Sequence, residues 1–147
     1  MDSQFSQRVK DILSYSKEEA IRLGNRHISP EHLFLGILRD GEGLAIDILV
    51  NHGIDLLVLK GSIEKSIKVE SPVPVPEHEV IPLLRSTERI LKLVYLEAKA
   101  LKSSTIRTEH LLLAILKDES ALITRLLSEL DVEYQSVRRM VETESPT

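Results

Sequence analysis

Apolar residues recur at helical spacing along most of the chain. Over positions 5–23 they fall three or four residues apart, which predicts one long amphipathic helix that ends at Gly24. The next apolar run, 33–38, is apolar on nearly every side and predicts a short helix buried in the core. Ser29 is placed to cap that helix, with Pro30 at its first position.

Two further helices complete this first group. The glycine-containing segment 40–43 ends the second helix, and a third is predicted over 44–52. Asp55 is placed to cap a fourth helix over 56–69. The first half of the chain therefore predicts four helices and no strand.

The helical pattern stops in a proline-rich segment and then repeats. Prolines at alternate positions favour an extended, polyproline-like connector over 70–77. The pattern then predicts four more helices, at about 82–101, 109–117, 120–130 and 133–141. The predicted fold class is therefore all-α, with eight helices.

One stretch of thirteen residues occurs twice. Positions 28–40 return at 106–118, 78 residues later, and eight of the thirteen residues are identical. The same offset, without a gap, pairs Leu49 with Leu127 and many other apolar positions. A match this long indicates a duplicated unit, so we expect two four-helix repeats related by a pseudo-twofold axis. Each repeat alone, at roughly 70 residues, would be marginally stable, so the two should pack on each other.

These features divide the chain into four segments. We assign repeat 1 to residues 1–69, a linker to 70–79, repeat 2 to 80–141 and a tail to 142–147. The last segment is polar and has the composition of a tail or of the start of a linker.

Composition narrows the classes of function. A net charge of −4 argues against the basic face with which nucleic-acid binders neutralise phosphates. The chain has no cysteine, which excludes disulfides and thiolate metal sites. No apolar run reaches the roughly 18 residues of a membrane span, and the N-terminus has no apolar signal segment. We therefore expect a cytoplasmic protein with neither nucleic-acid nor membrane partners.

The candidate chemistry is confined to two Glu-His pairs, Glu31-His32 and Glu109-His110. Zinc hydrolases place two histidines one helical turn apart, whereas each helix here has one histidine and no second ligand, so we expect no metal. The histidines are interpreted as helix-start residues that bond locally. The glutamates either offset the helix dipole or help to hold a ligand, and both interpretations stay open. No nucleophile–base pair is visible, so we expect no catalytic residue.

Several motifs resemble those of the Clp N-terminal repeat domain, most of all its ClpC type. They are Glu18-Glu19-Ala20, Leu23-Gly24, the stretch 28–38 and Gly41-Glu42-Gly43-Leu44-Ala45. The resemblance covers essentially the whole chain. It implies a mobile docking module of a hexameric AAA+ unfoldase, which receives adaptor and substrate proteins and delivers them to the ClpP peptidase. It also implies that ATP and Mg bind in ATPase modules beyond this domain. The domain itself would then need no cofactor, and in isolation it would be a monomer.

The resemblance further implies a ligand, phosphoarginine, read once per repeat by the glutamate of the Glu-His pair and a hydroxyl near the start of the first helix. Glu31 and Glu109 match the glutamates, and Ser6 matches the hydroxyl in repeat 1. Its counterpart in repeat 2 is Leu84, which has no hydroxyl. We therefore expect Ser6 and Glu31 to form the better site and Glu109 the weaker one.

Two other functions are compatible with the sequence. A free-standing double repeat could regulate a Clp complex in trans, and a nucleotide-binding Walker A motif soon after this segment would exclude that alternative. An independent enzyme on a helical scaffold would require a turnover that is lost when both Glu31 and Glu109 are replaced.

Overall fold

Eight α-helices make up the fold of the computed structural model, which describes residues 4–70 and 79–144. In repeat 1 they are α1 (Gln7–Arg22), α2 (Pro30–Asp40), α3 (Leu44–Asn51) and α4 (Leu56–Ile67). In repeat 2 they are α5 (Arg85–Ala100), α6 (Thr108–Lys117), α7 (Leu122–Glu129) and α8 (Tyr134–Glu144). The predicted all-α class is confirmed. No helix of the described residues is long and apolar enough to cross a membrane.

Two helix ends differ from the predicted ones. The helix predicted from position 82 begins at Arg85, because the backbone of 82–84 is paired with Ile28 instead. At the other end of the chain, α8 continues to Glu144, so the first three residues of the predicted tail are helical. Most of the predicted linker, 71–78, lies outside the described residues.

The two repeats share one hydrophobic core. Helices α2 and α6 lie at its centre, and their apolar residues Leu33–Leu35 and Leu111–Leu116 are almost completely buried. The same core cluster contains residues from both repeats, including Ile12 and Ile90 of the long first helices. Burial on all sides explains why these two helices are apolar around their whole circumference.

A pair of short parallel β-bridges displays the pseudo-twofold relation. Phe5 pairs with Ile106, and its counterpart Leu83 pairs with Ile28. In the first bridge Ser6 N–H donates to Ile106 O at 2.9 Å; in the second, Leu84 N–H donates to Ile28 O at 3.1 Å. The segment that leads into each first helix therefore lies beside the second helix of the other repeat.

Candidate functional site

The two histidines of the Glu-His pairs are structural. His32 Nδ1 accepts a hydrogen bond from Ser29 N–H at 2.9 Å, and His110 Nδ1 accepts one from Arg107 N–H at 2.9 Å. Burial lowers the pKa of each imidazole from its ordinary value of 6.5 to about 4. Both are therefore neutral at pH 7, and their interpretation as locally bonded helix-start residues is confirmed. In the part of the chain that the structure describes, no three metal-ligating side chains cluster.

The first glutamate, Glu31, caps a helix of the other repeat. Its Oε2 accepts a hydrogen bond from Ile123 N–H at 3.0 Å, in the first turn of α7. The residue that precedes α7, Ala121, has no side chain able to cap it. The carboxylate also faces the positive end of the α7 dipole. Glu31 thus joins the two repeats, and its carboxylate is already hydrogen-bonded within the protein.

The second glutamate, Glu109, does not have the equivalent partner. The N–H that corresponds to that of Ile123 belongs to Ala45, and it donates to Thr108 Oγ1 at 3.1 Å. Glu109 is 6% exposed. Among the described residues, its carboxylate forms no hydrogen bond with another helix, and hydrogen bonding to its own amide and to the Thr108 hydroxyl acts to lower its pKa. Burial outweighs these bonds and the nearby charge of Arg107, and it raises the pKa of Glu109.

Glu109 lies in the wall of a pocket of about 380 Å³ between the repeats. The lining residues come from three helix starts and the end of α8: Ser6, Arg8, Gly43, Leu44, Thr105, Arg107, Thr108, Glu109 and Glu144. The N-termini of α1, α3 and α6 thus meet here, with two arginines. Helix N-termini and arginines favour anions, whereas the carboxylate of Glu109 favours a cation. The pocket is suited to a ligand that has both charges.

Ser6 begins α1 at this pocket. It is the N-cap of α1, and its Oγ accepts a hydrogen bond from Val9 N–H at 3.1 Å. The hydroxyl hydrogen is not used in that bond and is available to a ligand. Leu84, the N-cap of α5, makes no side-chain capping bond.

The expected pairing within each repeat was wrong. Ser6 shares a pocket with Glu109, not with Glu31, because the bridge between Phe5 and Ile106 places the start of α1 beside α6. By the second bridge, Leu84 lies on the Glu31 side of the molecule. The position that contains Glu31 is therefore the one that has leucine in place of the hydroxyl residue.

Sequence reasoning missed Arg8, Arg107 and Thr108. Each differs from its counterpart 78 residues away: Arg8 from Ser86, Arg107 from Ser29, and Thr108 from Pro30. Arg8 is held by Asp40, with a 2.7 Å contact between its Nη1 and Oδ2. A comparison of the two copies for differences, rather than identities, would have pointed to all three positions.

Comparison with known proteins identifies the family. The sequence model of the Clp repeat (R) N-terminal domain matches residues 4–130 and again 85–146. The chain belongs to this family, whose members include the N-terminal parts of ATPase chaperones. The predicted resemblance is thereby confirmed.

Curated relatives come from several branches of these chaperones. The chain is 32% identical over 141 residues to the chaperone protein ClpB of Oceanobacillus iheyensis. It is 33% identical over 144 residues to the negative regulator of genetic competence ClpC/MecB of Bacillus subtilis. Each match covers 96% of this chain but 17% of the relative, so the chain spans about a sixth of their length.

Solved structures agree on the fold. The N-terminal domain of the ClpD chaperone of Arabidopsis thaliana superposes with a TM-score of 0.70 at 18% identity, covering 97% of this chain and 94% of that one. The N-terminal domain of the ClpV1 ATPase of Escherichia coli gives a TM-score of 0.75 at 19% identity, covering 94% and 83%. The fold is therefore that of a Clp N-domain.

Proposed function

We propose that this chain is the docking domain of a ClpC-type AAA+ unfoldase. In this role it receives adaptor and substrate proteins in the cytoplasm, and the ATPase modules thread the substrates into the ClpP peptidase. The family match and the similarity to ClpC/MecB support the proposal. The domain itself performs no catalysis, and ATP and Mg bind in the other modules.

The ligand proposed for the pocket is a phosphoarginine side chain on a substrate. This proposal rests on the carboxylate of Glu109, which is buried and lies beside three helix N-termini. Among the described residues, it forms no hydrogen bond or ion pair with another helix. A carboxylate forms paired hydrogen bonds with guanidinium N–H groups. The phosphate would face the helix starts, the Ser6 hydroxyl and the charges of Arg8 and Arg107. Free arginine would leave the helix starts and arginines without an anion, and free phosphate would leave the Glu109 carboxylate without a cation.

Calorimetric titration tests this ligand. We expect saturable binding of phosphoarginine to the chain, and weaker or undetectable binding of arginine and of inorganic phosphate. Glu109→Gln keeps the shape of the side chain but removes its charge, so we expect at least about a tenfold loss of affinity. Glu119→Gln, at an exposed position between α6 and α7, is the matched control and should bind like the wild type.

Docking of proteins requires its own measurement. The chain should retain an unfolded protein phosphorylated on arginine and should release it when the phosphate groups are removed. Equal retention of both forms would show that docking uses another surface. No phosphoarginine binding by the folded wild-type chain would overturn the proposed ligand.

The isolated chain is proposed to be a monomer, because assembly of the hexamer belongs to the ATPase modules. Light scattering should give a mass near the 16.6 kDa of one chain. A stable hexamer would contradict this.

A further inference from the structure

We propose that this domain binds one ligand, in the pocket of Ser6 and Glu109. At the equivalent position in the other half of the molecule, the bond between the Glu31 carboxylate and Ile123 N–H joins the two repeats, and we call this contact the latch. This inference rests on the proposed function for the identity of the ligand. The latch itself rests on contacts within the chain alone.

A single residue difference decides which glutamate is free. Thr108 offers a hydroxyl that accepts from Ala45 N–H at 3.1 Å, so the first turn of α3 is satisfied without Glu109. The counterpart of Thr108 is Pro30, which has no hydroxyl. Ile123 N–H therefore takes the carboxylate of Glu31 instead, at 3.0 Å.

A ligand at the latch would have to displace that bond. The Glu31 carboxylate is buried, and its bond to Ile123 is buried as well. Turning Glu31 toward a guanidinium group would leave the Ile123 N–H without a partner inside the protein, which is unfavourable. Glu109 can bind a guanidinium group without such a loss.

The rest of the latch position has also lost the groups that hold an anion. Leu84 stands in place of Ser6, Ser86 in place of Arg8, and Ser29 in place of Arg107. The hydroxyl of Ser6 thus has no counterpart, and serine hydroxyls stand where the two guanidinium groups would be. Phosphate would meet the start of α7 without a neighbouring arginine from these positions.

Glycine completes the difference. Gly43, which begins α3, has a φ of 101°, and an added Cβ would lie 2.8 Å from Thr108 Oγ1. The close approach of Thr108 to α3 therefore requires glycine. At the latch the corresponding residue is Ala121, which has a φ of −70°. Glu109, Thr108 and Gly43 therefore form one arrangement, which is present at the pocket and absent at the latch.

The first experiment converts the pocket into a second latch. Thr108→Pro introduces the residue of the other copy at the first position of α6, where proline is well tolerated. Arg107, which precedes it, has φ −115° and ψ −179°, a conformation that is compatible with a following proline. We expect Glu109 to cap α3 and phosphoarginine affinity to fall at least tenfold while the fold is kept. Thr108→Ser retains the hydroxyl, so Glu109 should stay uncapped and most of the affinity should be kept, and Glu119→Gln, outside the pocket, should bind like the wild type.

The second experiment attempts the reverse change. Titration of the wild type with phosphoarginine should give a stoichiometry of one per chain, and Glu31→Ala should keep that stoichiometry. The quadruple variant S29R/P30T/L84S/A121G lets the threonine approach α7, frees Glu31 and restores a hydroxyl and a guanidinium group, so it should raise the stoichiometry toward two. Two sites in the wild type, with one lost in Glu31→Ala, would overturn the inference and leave the proposed ligand intact.

Thermal unfolding without ligand tests the latch independently. Glu31→Ala should lower the Tm more than Glu109→Ala, because only the first change removes a cap on the opposite repeat. Equal losses of Tm would overturn the latch. No binding of phosphoarginine together with unequal losses would overturn the ligand and the single site but retain the latch.

Discussion

The two halves of this molecule contain the same Glu-His motif and use its glutamate in different ways. Glu31 is bonded across the repeat boundary to Ile123, whereas Glu109 has no such bond among the described residues and lies in the wall of a pocket. The neighbouring residue accounts for the difference, because Thr108 caps the opposite helix and Pro30 does not. In this duplicated fold, Glu109 is left without a bond to the opposite repeat because Thr108 has taken that bond.

A second pair of buried counterparts, Glu19 and Glu97, shows the same divergence. Glu19 on α1 is bonded by Arg22 at 2.7 Å, and Arg39 lies 3.3 Å from it. Burial alone would raise the pKa of Glu19, but these arginines lower it overall. The counterpart Glu97 instead accepts a hydrogen bond from the Tyr134 hydroxyl at 2.6 Å. In repeat 1 the buried glutamate is thus paired with charged arginines, whereas in repeat 2 its counterpart accepts from a neutral hydroxyl.

Acidification should affect both repeats alike and gives the largest expected effect. The pKa values of His32 and His110 are lowered to about 4, so the unfolded chain binds more protons than the folded one below pH 6.5. Stability is therefore fully present above that pH and is lost as the pH falls. At pH 5 each histidine should cost about 2 kcal/mol, or about 4 kcal/mol together.

Urea unfolding at pH 7 and pH 5 measures this loss. Replacement of the exposed His52 by glutamine serves as the control for the loss of a histidine outside the core. His32→Gln should reduce the pH dependence by about half. An unfolding free energy that is the same at both pH values would contradict the structural role of the two histidines.

Removal of the latch should have the next largest effect. Glu31→Ala breaks a charged hydrogen bond to a buried N–H and should cost about 1.5–3 kcal/mol. Glu109→Ala loses only bonds within one turn and removes a buried carboxylate with a raised pKa, so it should cost less than about 1 kcal/mol. Chemical denaturation of both variants at pH 7 gives the comparison directly. A larger loss for Glu109→Ala would contradict it.

The packing of the first two helices should also distinguish the repeats. At Gly36 an added Cβ would lie 2.6 Å from Ile12 O and 2.7 Å from Ser16 Oγ. Gly36→Ala should therefore cost about 1–3 kcal/mol through overpacking. The counterpart is Ala114, where Ala114→Gly should cost about 1 kcal/mol through helix propensity. Denaturation midpoints measure both, and a stabilising Gly36→Ala would show that α1 and α2 can separate without cost.

The smallest effect on the fold, but a clear one on binding, is expected from Arg107→Ser. The variant introduces the residue of the other copy at an exposed position, so the free energy of unfolding should change by less than about 0.5 kcal/mol. Phosphoarginine affinity should fall about tenfold, because a cation beside the phosphate is lost. Unchanged affinity would exclude Arg107 from the ligand site, and the effect should weaken in high salt.

Most of the fold could be predicted because its signals are local. Apolar spacing, Ser29 and Asp55 as caps, and the glycine-containing break at 40–43 each act within a few residues, and the eight helices follow from them. Errors were confined to helix ends such as Arg85 and Glu144. The start of α5 moved because the backbone before it bonds to the other repeat.

The candidate site could be predicted only in part. Glu31, Glu109 and Ser6 were recognised as residues, but their grouping was wrong because sequence proximity assigned Ser6 to its own repeat. The parallel bridge between Phe5 and Ile106 places Ser6 against the other repeat. No local pattern contains that information.

The sequence by itself determined the helices, the duplication and the family, since these depend on periodicity and on residues close together in the chain. The tertiary structure decided which glutamate is free, because that depends on which N–H groups meet Glu31 and Thr108 across the repeat boundary. Buried N–H groups must find an acceptor, and only the packed structure shows which acceptor each one has taken.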